Sequence, residues 1–540
     1  MLRFILGKSG TGKTTYIYDK VSELVKSGND KILMLVPDMS TFETEKAFLN
    51  ILGARLSKNI KVFGFSRLCR FVFEQTSNRP QNVIDSGTRA VIMNIALEQL
   101  TEKLKLLKTK NTKSLTEIML QTLSDCKKNS ISTDTLYEVS KNVENETLKT
   151  KLYETALILD TFDAILSQSY VDPLDDLTRL YNILIENNIF DGYTVFVDSF
   201  SGFSAQQLKV LRLIMSQSDS VFVSLTLDPE SDGREEVFAT SQSTYKTLKN
   251  IAKSDSIDIK TPVKLAENKK FSNRELTLLE KSVFRNNITP DSKNPENIIL
   301  YQASDRYEEC EFVARQIKHI IIDENYLYND ISVICHDTEP YNGIINTVFE
   351  KYEIPYFMDA HSDIEVKPVV RLVNSIFRII LDNFERDDVI SLLKTGLTTN
   401  SPQEISLFEN YTYIWNVNNS AFKSEFTQNP RGFSSTFSDK DKKNLETVDK
   451  VRKSIVEPLL NFGENIKNKN GREITELLYK LLTELKVQDA LNSMYDELEN
   501  GVEKGLGTEQ IRVWNFLMEA FDKTVAVIGD MPVSPKRYYE

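Results

Sequence analysis

Residues 4–17 leave few folds open to the chain. An apolar run, Phe4-Ile5-Leu6, meets a glycine-rich stretch, Gly7-Lys8-Ser9-Gly10-Thr11-Gly12-Lys13-Thr14, which opens through Thr15-Tyr16-Ile17 into a periodic, helix-like segment. Strand, glycine turn and helix in succession begin a βα unit, and such units build parallel sheets. The spacing G-x-x-x-x-G-K-T adds chemistry to that geometry. The glycines let backbone N–H groups close around phosphates, and the helix N-terminus contributes a partial positive charge. Lys13 is placed to reach the outer phosphates of ATP, and the Thr14 hydroxyl to bind Mg²⁺. Gly7, Ser9, Gly10, Thr11, Gly12, Lys13, Thr14 and Thr15 are the candidate ATP-binding residues. The plain alternative is a glycine turn in an αβ unit with no ligand.

At 540 residues the chain exceeds one hydrophobic core, so three or four domains or subdomains are expected. Hydrophobic content of 41% and charged content of 27% are those of an ordinary soluble protein. No apolar run approaches the roughly 18 residues that a membrane helix needs. The immediate entry into strand and glycine turn leaves no room for a signal peptide. Four scattered cysteines, Cys69, Cys126, Cys310 and Cys335, and only three histidines argue for a reducing cytoplasm and against a protein-only metal site. A formal charge of −12 argues mildly against a protein coated in nucleic acid. It leaves room for a local track of Lys and Arg, because the field that matters is local.

Two more αβ units follow the first. Ile32–Val36 is a short apolar strand stopped by Pro37, with a helix after Thr41; Ile60–Phe65 is a third strand, with a helix from Ser66 to about Glu74. Strands then stop. Arg89–Lys110, Leu115–Lys128, Leu148–Ser167 and Leu174–Asn188 carry helical periodicity, which makes 86–190 an all-helical insertion. Its run of Lys103, Lys105, Lys108, Lys110 and Lys113 reads as a solvated helix end, with a phosphate contact as the alternative.

The sheet resumes with Thr194-Val195-Phe196-Val197, ending in Asp198. In a sheet that already holds a phosphate-binding loop, a strand-end Asp is the second Mg²⁺ position, next to Thr14. The following residue is Ser199, where hydrolytic relatives of this fold place a water-activating Glu. Losing such a base costs roughly 10²–10⁴-fold in rate, so binding should survive with little or no hydrolysis. Helix Ala205–Ser216, strand Val221–Leu225 and Asp228, a possible further acid, come next. Pro229–Glu296 is polar and irregular, with one helix near Leu276–Phe284. A second αβ series is expected from strands at Asn297–Tyr301, Ile331–Cys335 and Ile354–Tyr356; beyond Val366 the chain is helical. The last residues read as the start of another element, so the chain is expected to be cut short.

This order of sheet, helical insertion, sheet, second sheet and second insertion is that of superfamily 1 helicases. Finer motifs resemble one family, the AddB subunits of bacterial AddAB (RexAB) helicase–nucleases. They are Val36-Pro37-Asp38-Met39-Ser40-Thr41-Phe42, Phe65-Ser66-Arg67-Leu68, Leu225-Thr226-Leu227-Asp228, Lys394-Thr395-Gly396-Leu397 and, most diagnostic, the run Val197–Gln207. The resemblance implies an α/β P-loop fold with parallel sheets and two all-helical insertions. Residues 1–84 with 191–295 would form the ATP-binding domain, 86–190 the first insertion, 296–365 part of a second sheet domain and 366–540 the second insertion.

Such subunits are about twice this length and end in a nuclease domain with a four-cysteine iron–sulfur cluster, for which these residues hold no counterpart. The resemblance further implies a cytoplasmic heterodimer with an AddA-type motor subunit that resects DNA double-strand breaks. In it, this part binds ATP–Mg²⁺ with little hydrolysis, guides the 3′-ended single strand and scans it for the Chi sequence. Thr41, Phe65, Arg67, Arg70 and Phe203 match its strand-contacting positions, although packing is the ordinary role of such phenylalanines. Met39 replaces a common glutamine and Arg70 a common tryptophan, which leaves the Chi sequence open. An active helicase motor, and a structural scaffold with a relic P-loop, are the competing readings.

Overall fold

Leu2–Gly7 forms β1, whose apolar side chains are buried on both sides. Both faces of a parallel strand lie under helices, which is why Phe4-Ile5-Leu6 reads as an unbroken apolar run. The chain continues through α1 (Lys13–Lys26), β2 (Ile32–Leu35), α2 (Thr41–Ser57), β3 (Ile60–Phe63) and α3 (Phe65–Gln75). Five helices follow: α4 (Ser86–Leu100), α5 (Thr112–Lys128), α6 (Thr133–Asn142), α7 (Glu146–Leu166) and α8 (Asp176–Glu186). The sheet resumes with β4 (Thr194–Val197), α9 (Ala205–Gln217), β5 (Ser220–Thr226), α10 (Ala239–Ser254), β6 (Val263–Leu265) and α11 (Arg274–Ser282). This computed structural model describes all residues except 109–111, 168–169, 230–235, 283–289, 291–293, 359–362, 434–436 and 502–504.

The six strands pair in the order β3-β2-β4-β5-β1-β6, every pair parallel. Side-chain alternation divides the core between the two faces. Phe4, Leu33, Val195 and Val223 pack with α3, α8, α9 and α10, while Ile5, Met34, Phe196 and Phe222 pack with α1 and α2. Because all strands run the same way, the loops after β1, β2, β3, β4 and β5 emerge at one edge, where a ligand of an open αβ sheet belongs.

Three features depart from the sequence reading. α4 ends at Leu100 rather than Lys110, because the chain beyond it is held from elsewhere. The buried carboxylate of Glu154 accepts the backbone N–H groups of Lys105 (2.6 Å), Leu106 (3.1 Å) and Leu107 (2.8 Å), which an α-helix would have bonded internally. Lys103, Lys105 and Lys108 are exposed, in keeping with a solvated run; Lys110 lies outside the described residues. α10 and the edge strand β6 occupy a stretch read as irregular.

The third departure is in the second of the two compact units, Met1–Ile298 and Ile299–Glu540. The strands expected at Asn297–Tyr301, Ile331–Cys335 and Ile354–Tyr356 are absent: among the described residues of this unit there is no paired strand. An apolar run becomes a strand only when neighbours complete its hydrogen-bond ladder. Here α12 (Arg306–Asp323) and α13 (Ile344–Lys351) pack with each other and with Ile331 and Ile354, whereas Leu300, Ile334 and Phe357 are exposed. The remainder is helical, as read, from α14 (Pro368–Leu381) through α15 (Arg386–Leu393), α16 (Pro402–Ile414), α17 (Asp439–Asn465), α18 (Gly471–Glu484), α19 (Val487–Glu499) and α20 (Leu506–Ile528) to α21 (Pro535–Tyr539), around one large apolar core. Among the described residues no helix is long and apolar enough to cross a membrane.

Candidate functional site

The loop after β1 turns into α1 through Gly12, whose φ of 86° lies in the left-handed region that a side chain disfavours. A cleft of about 440 Å³ opens above it, lined by Ser9, Gly10, Gly12, Lys13, Thr14 and Thr15 from the loop and by Asp198 from the end of β4. Gly7 closes β1, paired with Thr226 and Leu265 on its two sides. Thr11 is buried and turned inward, its hydroxyl donating to the Lys8 carbonyl at 2.9 Å, so it braces the loop rather than facing the cleft. Lys13 Nζ donates to the same carbonyl at 2.8 Å. Burial pushes this ammonium below the ordinary lysine range, and the Asp198 carboxylate offsets part of that.

Thr14 Oγ1 donates to Asp198 Oδ2 at 2.9 Å. Asp198 is almost fully buried and also accepts from Ser199 Oγ (3.3 Å) and from the Ser224 hydroxyl of β5. Sequence reasoning misses Ser224; a lone polar residue inside Val221–Leu225 is the available signal. A hydroxyl and a carboxylate side by side suit Mg²⁺, which completes its shell with phosphate oxygens and water. Among the described residues no group of three or more His, Cys, Asp or Glu could hold a metal unaided, so a cation here would depend on such added oxygens.

Ser199 itself stands at φ 66° and offers only its hydroxyl to the cleft. Asp228, the other acid considered, is buried and lies 3.4 Å from Lys8 Nζ, which sits equally close to Glu280. It is committed to neutralising the loop's own lysine.

The five candidate strand-contacting residues lie at the same sheet edge but differ in availability. Thr41 is buried at the start of α2, its hydroxyl donating to the Asp38 carbonyl at 2.9 Å. Phe65 is 5% exposed, with the Phe200 and Phe203 ring centroids 5.8 Å and 6.4 Å away. Its place on the apolar face of α3 with Leu68, Cys69 and Val72 makes it a packing residue, and Phe203 is half-buried beside it. Arg67 is exposed and paired with Glu45 at 2.7 Å. Arg70 is exposed and lines a cleft of about 740 Å³ together with Arg79 and Lys128. The exposed apolar side chains at this edge are instead Met39 (90%) and Phe42 (66%), which flank Thr41. Both belong to the Val36–Phe42 motif, but their exposure could not be read from it.

The structure thus defines a parallel α/β unit in which a glycine-rich G-x-x-x-x-G-K-T loop faces a strand-end carboxylate. The family model described as ADDB, N-terminal, matches residues 4–280, and the chain belongs to that family. It is 28% identical over 548 residues to a Clostridium acetobutylicum protein named as a subunit of the ATP-dependent helicase/deoxyribonuclease, covering 99% of this chain and 48% of that protein. Proteins of the same name from Thermoanaerobacter sp. (strain X514) and Caldanaerobacter subterraneus subsp. tengcongensis are 31% and 29% identical, each over 99% of this chain and 47% of the relative. The chain thus spans about half the length of the curated relatives it matches.

Proposed function

We propose that Met1–Ile298 binds ATP–Mg²⁺ and turns it over slowly or not at all, as the nucleotide-holding part of one subunit in an ATP-dependent helicase–nuclease that processes DNA ends. One observation carries the reading: Thr14 and Asp198 meet at a phosphate-binding loop while the next position is Ser199 rather than an acid. Lys13 would hold the outer phosphates, and the Thr14 hydroxyl and Asp198 carboxylate would hold the cation that balances phosphate charge. Asp228 cannot readily activate water while it neutralises Lys8.

On this reading the fold is superfamily 1 helicase-like, with 1–84 and 191–295 as its first sheet domain and 86–190 as the inserted helical domain. Residues 296–365 would stand where such proteins carry part of a second sheet domain, although no paired strand forms there among the described residues, and 366–540 where they carry its insertion. The 3′-ended strand would follow the carboxyl edge past Phe42, Arg67 and Arg70, in a cytoplasmic heterodimer whose AddA-type partner is the motor. Chi scanning is the role this non-motor arrangement suits, and the nuclease chemistry would belong to residues outside this chain. The test compares the two-subunit complex with its counterpart carrying Lys13→Ala in this chain. Persisting bulk ATPase and unwinding, with an altered Chi response or complex stability, support the proposal. Collapse of both activities would mean that this loop drives a motor.

A further inference from the structure

The lysines at the far end of α4 sit on a fixed loop, not on a fraying helix end. Residues 101–108 leave α4, and Glu154 of α7, 2% exposed, gathers the N–H groups of Lys105, Leu106 and Leu107. Leu104 of the same loop is buried, while Lys103, Lys105 and Lys108 are exposed. A buried carboxylate thus sets the shape of a loop that presents three ammonium groups to solvent. The backbone ordering that a ligand would otherwise have to impose on a frayed end is already in place.

Exposed lysines by themselves are an ordinary solvated face. Two further features set these apart. First, a cleft of about 770 Å³ opens beside the loop, lined by Lys103 and Lys105 from the loop, Lys141 from α6 and Lys149 from α7. Lys149 pairs with Glu146 at 3.1 Å, but Lys103, Lys105 and Lys141 have no ion pair among the described residues. The acids on the cleft are Asp134, Glu138, Glu146 and Glu154, and the oxygens of Glu154 are taken up by the loop's N–H groups. Second, Tyr153 is 51% exposed on the same cleft and is braced by Tyr137, the ring centroids 5.5 Å apart. Unmatched cations interleaved with an exposed ring are what a single strand needs, ammonium for phosphate and ring for base. A duplex presents phosphates but keeps its bases stacked, so Tyr153 favours the single strand.

We infer that this cleft is a second single-stranded DNA contact, with Lys103, Lys105 and Lys141 on phosphates, Tyr153 on a base and Glu154 as the positioning residue of the loop. It shares no lining residue with the cleft beside Arg70, and both lie within Met1–Ile298. The inference rests on the reading of the chain as part of a DNA-processing enzyme and extends it from the sheet edge to the helical insertion. Two modest contacts on one strand reinforce each other, because the first sets the effective concentration at which the second binds.

The test follows the fluorescence anisotropy of labelled oligothymidylate and of a duplex of equal length on the full chain, across a salt series. The variants are K103A/K105A/K141A, K103R/K105R/K141R, Y153A, Y153F, E154Q and, at the sheet edge, R67A/R70A, with thermal melts as a folding check. The triple alanine variant should bind the single strand about tenfold or more weakly, and its slope of log affinity against log salt should be shallower by about 2, three contacts at about 0.7 each. The triple arginine variant should keep the wild-type slope. Y153A should lose about 5- to 100-fold on the single strand with the slope unchanged, and nothing on the duplex, whereas Y153F should bind as wild type does. E154Q should speed amide hydrogen exchange at residues 105–107 and weaken the single strand without changing the Y153A effect. If the lysine and Tyr153 variants bind as wild type does while R67A/R70A binds weakly, the inference fails and the sheet-edge path stands. Equal lysine-dependent losses on both DNAs with Y153A silent would also overturn it, by showing a charge patch with no base contact. A folded wild type that binds no oligonucleotide removes the sheet-edge path and this inference together.

Discussion

Thr14 and Asp198 are 184 residues apart, and the hydroxyl of one donates to the carboxylate of the other at 2.9 Å. The pairing joins the segment before the helical insertion to the segment after it, so 86–190 loops out of a sheet that closes behind it. It also places two hard oxygen donors at the mouth of the glycine-rich loop.

If that pair holds the cation, Asp198→Asn should keep the fold and lose the metal response. Wild-type affinity for ATP should fall about tenfold or more when EDTA removes Mg²⁺, on the scale of a lost charge-assisted interaction. The variant should bind weakly with or without the metal. Nucleotide titrations in Mg²⁺ and in EDTA give this ratio, and an unchanged ratio in the variant would move the cation elsewhere.

Ser199 is the position at which the absence of an acid matters. Ser199→Glu should raise phosphate release by about tenfold or more, a fraction of what a well-placed base supplies. The left-handed backbone there, φ 66°, strains any residue with a Cβ, Ser199 included, so the substitution should leave the melting temperature nearly unchanged. A folded variant with no gain in release would place the block to turnover elsewhere in the site.

Phe42 and Phe65 should separate binding from stability. Phe42 is 66% exposed and Phe65 is 5% exposed. If the proposed two-subunit complex carries the strand along this edge, Phe42→Ala should weaken single-stranded DNA binding by about 1–3 kcal/mol, the worth of one base stack. Phe65→Ala should instead lower the unfolding free energy by about 3–5 kcal/mol. Fluorescence anisotropy with a labelled oligonucleotide and urea melts read the two effects, and the reverse pattern would put the strand against Phe65.

Acid should loosen the second unit through Glu308. Its carboxylate accepts from Ser304 Oγ (2.6 Å), the Tyr301 hydroxyl (2.6 Å) and the Ser304 N–H (2.8 Å), which hold its pKa down to about 2 from the ordinary 4.5. A folded-state pKa below the unfolded one contributes stability that is present above pH 4.5 and lost as pH falls towards 2. Both tryptophans, Trp415 and Trp514, lie in this unit, so their fluorescence reports its unfolding. Glu308→Gln should flatten the dependence of the denaturation midpoint on pH between 4.5 and 2. An unchanged slope would show that other carboxylates govern it.

What can be read from sequence is what is local in sequence. The phosphate-binding loop, its strand and its helix occupy one continuous segment, and Asp198 closes a strand whose apolar run marks it. Ser224, Lys269 and Lys270 join the same cleft only through folding. A polar residue within a strand and two lysines in an irregular stretch carry no periodic signal, and β6, which delivers the lysines, is a three-residue edge strand. The motifs place Thr41 and Phe65 at the right edge, but whether a side chain there faces solvent depends on Asp38, Phe200 and Phe203, which no spacing rule reveals. The segments 297–301 and 331–335 show the opposite error. Their apolar runs look like β2 or β4, yet a strand also needs a partner, and none pairs with them among the described residues.

The most direct measurement incubates the chain with γ-labelled ATP and Mg²⁺ and follows retained nucleotide and released phosphate together, in wild type and Lys13→Ala. The expected result is retention by wild type that Lys13→Ala abolishes, with bound nucleotide outlasting many dissociation times before phosphate appears. Rapid phosphate release that depends on Lys13, or a folded wild type that retains no nucleotide, would contradict a site that holds ATP with little or no hydrolysis.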